Sequence, residues 1–141
     1  MKSMPDRPPA SRPEPVFLYD ADCGFCAASV RWLLRRGSRL DFRPCRQRPP
    51  EMDLAGLTAE DCRRAACLVE SPEDAPLRVH RGAAAINLAL RRLQGLRNVG
   101  WRLLSLLYLL PGLRRAEDAG YAWVARNRRR LGHSGGACSI R

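Results

Sequence analysis

One short segment, in which an apolar run leads into a Cys-x-x-Cys pair, constrains the fold more than any other part of the chain. The apolar run predicts a buried strand over residues 15–20, and it ends in Asp20. Cys23 and Cys26 follow at once, and apolar residues then recur at the spacing of a helix, which we expect over residues 26–36. Both thiols are therefore predicted to lie where a strand leads into a helix.

The start of a helix changes the chemistry of a thiol. The first turn offers unpaired backbone N–H groups and the positive end of the helix dipole, and both favour a thiolate over a thiol. Cysteines in such positions, especially in Cys-x-x-Cys pairs, have pKa values lowered to about 3.5–7.5, against about 8.5 for a free cysteine. We therefore predict that Cys23 and Cys26 form a redox-active dithiol.

The two thiols and the preceding aspartate have different predicted roles. Cys23 lies at the helix start and nearer to solvent, so we expect it to be the attacking thiolate. Cys26 lies one turn later on the apolar face, and we expect it to resolve the mixed disulfide. Asp20 ends the strand beneath both thiols and is predicted to accept the proton of Cys26.

The charged residues near the dithiol predict a helix cap and a cation that supports the thiolate. Asp22 is placed to act as the N-cap of the helix. Because carboxylates oppose a neighbouring thiolate, an acidic Cys23 needs help from a cation. Arg43 and Arg81 are the candidate arginines.

The remaining pattern predicts an α/β domain with a small sheet. Residues 40–44 predict a second strand, and the strand-helix-strand order with short connections favours a parallel pair. Residues 46–57 look irregular, and a short helix capped by Thr58 follows. Residues 66–70 and 77–80 flank a turn-forming segment and predict an antiparallel hairpin.

Three helices are predicted in the C-terminal part of the chain. Residues 98–110 are almost entirely apolar, which favours a helix that is buried on all sides and too short to cross a bilayer. Pro111 ends it, and a last helix covers residues 113–130, with a solvated arginine cluster at its end. An earlier helix begins after Gly82, and its predicted core side chains are Ile86, Leu90 and Leu93.

This element order resembles the thioredoxin-like plan with added C-terminal helices. The predicted domain covers residues 15–131, between a disordered proline-rich tail at 1–14 and a flexible tail at 132–141. The N-terminal tail lacks the apolar run of a signal peptide, so a cytoplasmic location is expected. We also expect a monomer.

The charge balance suggests the kind of surface that the protein contacts. The chain has 141 residues, with 25 Lys+Arg against 14 Asp+Glu, and Lys2 is its only lysine. A net charge of +11 favours contact with an acidic protein or a membrane surface. Nucleic acid is not expected, because aromatic residues and arginines are not interleaved in the pattern of a single-strand binding groove.

The alternative is that the chain is a zinc-binding or basic partner-docking module without redox turnover. Zinc sites use the same Cys-x-x-Cys spacing. A second ligand pair would come from Cys62 with Cys67, or from Cys138 with His133. Neither pair has that spacing, so no metal or other cofactor is expected. These cysteines and Cys45 are predicted to be buried bystanders, since disulfides are rare in the cytosol.

The Asp-x-x-Cys-x-x-Cys motif at residues 20–26 resembles the signature of the DCC family of thiol-disulfide oxidoreductases. Residues 81–86 resemble the segment that opens the middle helix of that family, and residues 121–128 resemble its C-terminal region. The resemblance covers about residues 15–131. It implies a thioredoxin-like fold and a dithiol that acts on an unidentified disulfide substrate, with an external thiol as electron donor.

Substrate docking is expected to differ from that of ordinary thioredoxins. Those proteins place a cis-proline just before the third strand, where it faces the dithiol and holds the substrate backbone. Residues 64–67 occupy this place here and read Arg-Ala-Ala-Cys. Another group must therefore take over the role of the proline.

Overall fold

A computed structural model describes residues 14–72 and 74–131 of the chain. The described residues form a four-stranded sheet and six α-helices. The strands are β1 (Val16–Tyr19), β2 (Asp41–Pro44), β3 (Cys67–Glu70) and β4 (Arg78–Arg81). The helices are α1 (Gly24–Arg35), α2 (Pro50–Leu54), α3 (Ala59–Arg64), α4 (Ala83–Arg91), α5 (Val99–Leu106) and α6 (Pro111–Leu131).

The sheet has the order β2-β1-β3-β4. β1 and β2 are parallel, with Phe17 opposite Phe42, and α1 connects them. β3 is antiparallel to β1 and continues into β4 as a hairpin. The predicted parallel pair and the predicted hairpin are both confirmed, and the arrangement is compatible with a thioredoxin-like fold.

The core lies on both faces of the sheet because successive side chains of a strand point in opposite directions. Val16 and Leu18 of β1 pack towards α2 and α3, whereas Phe17 packs towards α1 and α4. Leu93 is buried as predicted, but Ile86 and Leu90 are only partly buried. Small side chains take the fully buried positions of α4, namely Ala85 and Ala89.

Prolines account for two differences from the sequence-based expectation. Residues 46–57 are not irregular throughout, because α2 begins at Pro50. The last helix begins at Pro111 rather than at residue 113. Proline is favoured in the first turn of a helix, where its missing N–H has no partner to lose. The predicted cap at Thr58 is confirmed as a capping box, since Thr58 and Asp61 bond each other's backbone N–H groups.

The bystander prediction is wrong for two cysteines. Cys45 and Cys62 form a disulfide with a Cα–Cα distance of 6.3 Å. The bond joins a 3₁₀ turn directly after β2 to helix α3, and both residues are buried. Cys67 is buried and has a free thiol, as expected. Cys138 lies outside the described residues.

The prediction that residues 98–110 are buried on all sides is wrong. α5 and the 3₁₀ turn after it bury Ser105 and Tyr108, which face the rest of the domain. Most of the large apolar side chains in this segment are exposed to solvent. None of the described helices combines the length and the apolar character that crossing a bilayer requires.

Candidate redox site

The dithiol lies at the junction of β1 and α1. The helix begins one residue later than a cap at Asp22 would predict. Cys23 itself is the N-cap residue, and the backbone N–H of Cys26 donates to its Sγ at 3.4 Å. Asp22 is therefore not the cap, which corrects the prediction. The backbone N–H of Asp22 instead donates to Oδ1 of Asp20 at 3.0 Å, and this local turn delays the helix by one residue.

Cys26 differs from Cys23 in its surroundings. Burial raises the pKa of Cys26 to about 12, and the hydrogen bond and charge of Cys23 add to this effect. The guanidinium of Arg128 acts in the opposite direction and lowers the pKa of Cys26, while the carboxylate of Asp20 raises it further. The pKa of Cys26 therefore stays above that of an ordinary thiol despite the nearby guanidinium.

Arg128 joins Cys26 to Asp20. Its Nη1 atom lies 3.7 Å from Sγ of Cys26, and its Nη2 atom lies 3.9 Å from Oδ2 of Asp20. The side chains of Arg128 and Asp20 are only 13% and 17% exposed, so solvent screens this contact weakly. The site thus combines the half-buried thiol of Cys26, the carboxylate of Asp20 and the guanidinium of Arg128. It brings Asp20 and Cys26, both predicted from the sequence, close to Cys23.

The two arginines proposed from the sequence are engaged elsewhere. Arg43 pairs with Asp41 at 2.7 Å and with Glu51 at 3.1 Å. Arg81 pairs with Asp61 at 3.1 Å. Both are therefore wrong as partners of the thiolate, because carboxylates hold them, on β2 itself and α2 for Arg43 and on α3 for Arg81.

Arg128 belongs to the arginine cluster that was predicted to be a solvated helix end, which is wrong for this residue. Its contact with Cys26 spans 102 residues of sequence, so no local pattern reveals it. The available signal is its spacing from Tyr121, seven residues earlier, because two helical turns place both side chains on one face of α6.

Tyr121 contacts the segment directly before β3, where the sequence lacks a proline. Its hydroxyl accepts a hydrogen bond of 2.9 Å from the backbone N–H of Ala66, and the carbonyl of Ala66 accepts another from Gly82 at 2.9 Å. Both backbone polar groups of Ala66 are thus bonded within the chain. No peptide bond is cis among residues 14–72 and 74–131. Helix α6 therefore covers the segment directly before β3.

Gly82 is required where Tyr121 packs. Its φ is +60°, and a Cβ atom at this position would lie 3.2 Å from Cε1 of Tyr121. Asn87 of α4 also holds α6, the helix of Tyr121, because its Nδ2 atom donates to Oε2 of Glu117 at 2.7 Å. These contacts hold α6 against α4 and keep Arg128 over the dithiol.

The remaining cysteines and histidines are not arranged as a metal site in the described structure. Cys62 is bonded to Cys45, so it cannot form a ligand pair with Cys67. Within 14–72 and 74–131, no three His, Cys, Asp or Glu side chains are grouped closely enough to hold a metal ion. His80 pairs with Glu70 across the hairpin at 3.1 Å. The other proposed pair, Cys138 and His133, lies outside the described residues.

Comparison with known proteins agrees with the geometry of the site. A family model described as DCC1-like thiol-disulfide oxidoreductase matches residues 17–134, which include the dithiol, Asp20 and Arg128. Neither the curated proteins nor the solved structures yielded a match. The match covers most of the chain and confirms the resemblance inferred from the motif. The chain belongs to the DCC1-like thiol-disulfide oxidoreductase family.

Proposed function

We propose that the protein reduces disulfide bonds of proteins or small molecules, with Cys23 as the nucleophile and Cys26 as the resolving thiol. The observation that carries the proposal is the difference between the two thiols. Cys23 caps a helix and accepts a backbone N–H, whereas Cys26, which is half-buried like Cys23, lies beside Arg128 and Asp20 and has a raised pKa. Such an asymmetric pair is suited to two successive exchange steps.

In the first step, the thiolate of Cys23 attacks one sulfur of the substrate disulfide. A bond forms between Cys23 and that sulfur, the substrate S–S bond breaks, and the other substrate sulfur leaves as a thiolate. The N–H that Cys26 donates to Sγ of Cys23 and the N-terminus of α1 favour negative charge on the attacking sulfur.

In the second step, Cys26 attacks Sγ of Cys23. The Cys23–Cys26 disulfide forms, the mixed disulfide breaks, and the second substrate sulfur leaves with the electron pair. Asp20 takes the proton of Cys26 and Arg128 stabilises the negative charge that develops on its sulfur. Two electrons have then passed from the protein to the substrate, and an external thiol donor restores the dithiol.

The substrate must bind without the backbone contact that thioredoxins use. The N–H of Ala66 is bonded to Tyr121 and its C=O already accepts from Gly82, so a substrate strand finds no free donor there. We infer that the protein recognises its substrate through the surface around Cys23, the cysteine that caps α1.

The test is a redox titration of the purified protein, read by alkylation and peptide mass spectrometry. A reversible Cys23–Cys26 disulfide with a potential between about −270 and −120 mV is expected. Zinc content measured in the same sample addresses the alternative function. Stoichiometric zinc together with a pair that resists oxidation would overturn the proposal.

Matched variants assign the two steps. Cys26→Ser is expected to stop after the first step and accumulate a mixed disulfide on Cys23, whereas Cys23→Ser abolishes turnover. Cys67→Ser is the control, because this thiol is buried and burial raises its pKa to about 11. Turnover by Cys23→Ser would contradict the assignment of the nucleophile.

A further inference from the structure

The exposed apolar side chains of α5 and its continuation form a surface that the redox chemistry does not use. We call this surface the leucine ridge. Leu103 is 59% exposed and Leu109 is 63% exposed, although these side chains prefer burial. Contiguous exposed apolar patches mark sites of interaction with proteins or membranes. The ridge consists of Val99, Trp101, Leu103, Leu104, Leu106, Leu107, Leu109, Leu110 and Leu113.

Specific contacts hold the ridge in this orientation. The hydroxyl of Tyr108 donates to Oδ1 of Asp118 on α6 at 2.9 Å, and Ser105 is fully buried against the domain. Trp101 packs edge-on against Trp32 of α1, with ring centroids 5.2 Å apart. Ser105, Tyr108 and one edge of Trp101 thus anchor the segment to the domain, and the leucines face away from it.

The charges within the ridge segment are all positive. Residues 96–115 contain no Asp or Glu, and their charged residues are Arg97, Arg102, Arg114 and Arg115. Two copies meeting face to face through the ridge would bring these arginines together, and Asp118, 3.9 Å from Arg114, would offset only part of their charge. This charge pattern disfavours a second copy of the chain and favours an anionic surface.

An arginine-lined cavity adjoins the ridge. The cavity has a volume of about 350 Å³, and Arg39, Arg91, Arg92 and Arg102 line it together with Glu14. Arg92 pairs with Glu70, but Nε of Arg91 is buried without a hydrogen-bond partner among the described residues. Arginine donors in this arrangement suit an anion with several oxygens, such as a phosphate group.

We propose that this face docks on an anionic phospholipid bilayer. The leucine ridge enters the boundary between headgroups and acyl chains, and a lipid phosphate occupies the cavity lined by Arg91 and Arg102. Leucines, a tryptophan and arginines on one surface segment are the composition of interfacial helices. Arg102 belongs both to α5 and to the cavity, so the apolar and anionic contacts are made by one continuous surface.

The first test measures co-sedimentation of the full chain with vesicles of phosphatidylglycerol and phosphatidylcholine, compared with vesicles of phosphatidylcholine alone. Binding is expected to be at least about tenfold stronger to the anionic vesicles. Leu103→Ser/Leu106→Ser is expected to weaken it about tenfold or more. Leu54→Ser is the matched control, since Leu54 is 73% exposed on α2. Unchanged reactivity of Cys23 verifies that each variant is folded.

The second test separates the cavity from general attraction by charge. Arg91→Gln/Arg102→Gln removes two charges from the cavity, and Arg63→Gln/Arg78→Gln removes two from α3 and β4. We expect the cavity variant to bind anionic vesicles about tenfold more weakly than this control. Equal binding by the two variants would overturn the phosphate site.

Two other results would overturn membrane docking as a whole. One is equal binding of the native protein to neutral and anionic vesicles, or no binding to either. The other is a stable dimer in the absence of lipid that Leu103→Ser/Leu106→Ser dissociates, because the ridge would then be an interface between copies of the chain.

Discussion

Replacing Arg128 by glutamine tests how far the resolving step depends on one buried charge. The guanidinium lies 3.7 Å from Sγ of Cys26, and its side chain is 13% exposed. Glutamine keeps hydrogen-bonding capacity and removes the charge. The substitution takes away the group that lowers the pKa of Cys26 and leaves burial, Cys23 and Asp20, which all raise it. The variant is therefore expected to resolve the mixed disulfide slowly.

The expected size of the effect follows from the distance. Two opposite unit charges about 4 Å apart attract each other by about 4 kcal/mol at an effective dielectric constant of about 20. The charge on Arg128 is spread over the guanidinium and shared with Asp20, so about half of this value acts on the sulfur. A loss of about 2 kcal/mol in the transition state slows the step about 30-fold.

The assay uses dithiobis(nitrobenzoate) in a Cys67→Ser/Cys138→Ser background. One equivalent of nitrothiobenzoate is released when Cys23 attacks the reagent, and a second is released when Cys26 attacks the mixed disulfide. Stopped-flow absorbance resolves the two phases. Arg128→Gln is expected to slow the second phase about 30-fold and to leave the first nearly unchanged.

Arg130→Gln provides the control, because Arg130 is an exposed residue of the same helix. Its second phase should keep the rate of the unmodified protein. A specific role of the Arg128 charge is refuted if Arg128→Gln resolves the mixed disulfide as fast as the unmodified protein, or if Arg130→Gln is slowed to the same extent.

Further predictions concern the aspartate and the packing of α6. Asp20→Asn should slow the second phase, because the variant lacks the carboxylate that accepts the proton of Cys26. The charge of Asp20 also raises the pKa of Cys26, so a faster second phase would contradict the proton-accepting role and show a purely electrostatic one. Tyr121→Phe leaves a backbone N–H without its partner and should cost about 1–3 kcal/mol in urea unfolding. Gly82→Ala should cost about 2 kcal/mol in the same assay, because of its positive φ and the nearby Tyr121 ring. Gly120→Ala, with open space around its Cβ, should instead stabilise α6 by about 0.5–1 kcal/mol.

Local patterns predicted the parts of the fold that depend on neighbouring residues. The apolar run before Asp20 predicted β1, and the helical spacing after Cys26 predicted α1. Thr58 predicted the cap of α3, because a cap and the N–H group that it bonds lie within one helical turn. In each case the sequence separation is short enough for residue type and spacing to determine the structure.

Long-range contacts could not be predicted in the same way. Arg128 reaches Cys26 only because α6 crosses α1, and Cys45 meets Cys62 only because α3 packs beside the end of β2. Apolar composition likewise predicts that a segment prefers apolar surroundings, but it does not predict whether the core of the domain provides those surroundings. Leu103 therefore looked like a core residue, although it is exposed in this fold.

Helix α6 carries residues of both the leucine ridge and the redox site. Leu113 belongs to the leucine ridge, and Arg128 contacts the dithiol 15 residues later, which corresponds to about 22 Å along the helix axis. The helix therefore works as a spacer of fixed length. For a protein docked on a bilayer through the ridge, the reactive sulfurs would be held within a few nanometres of the headgroups. Disulfides in juxtamembrane segments would lie in reach, and those in distant domains would not.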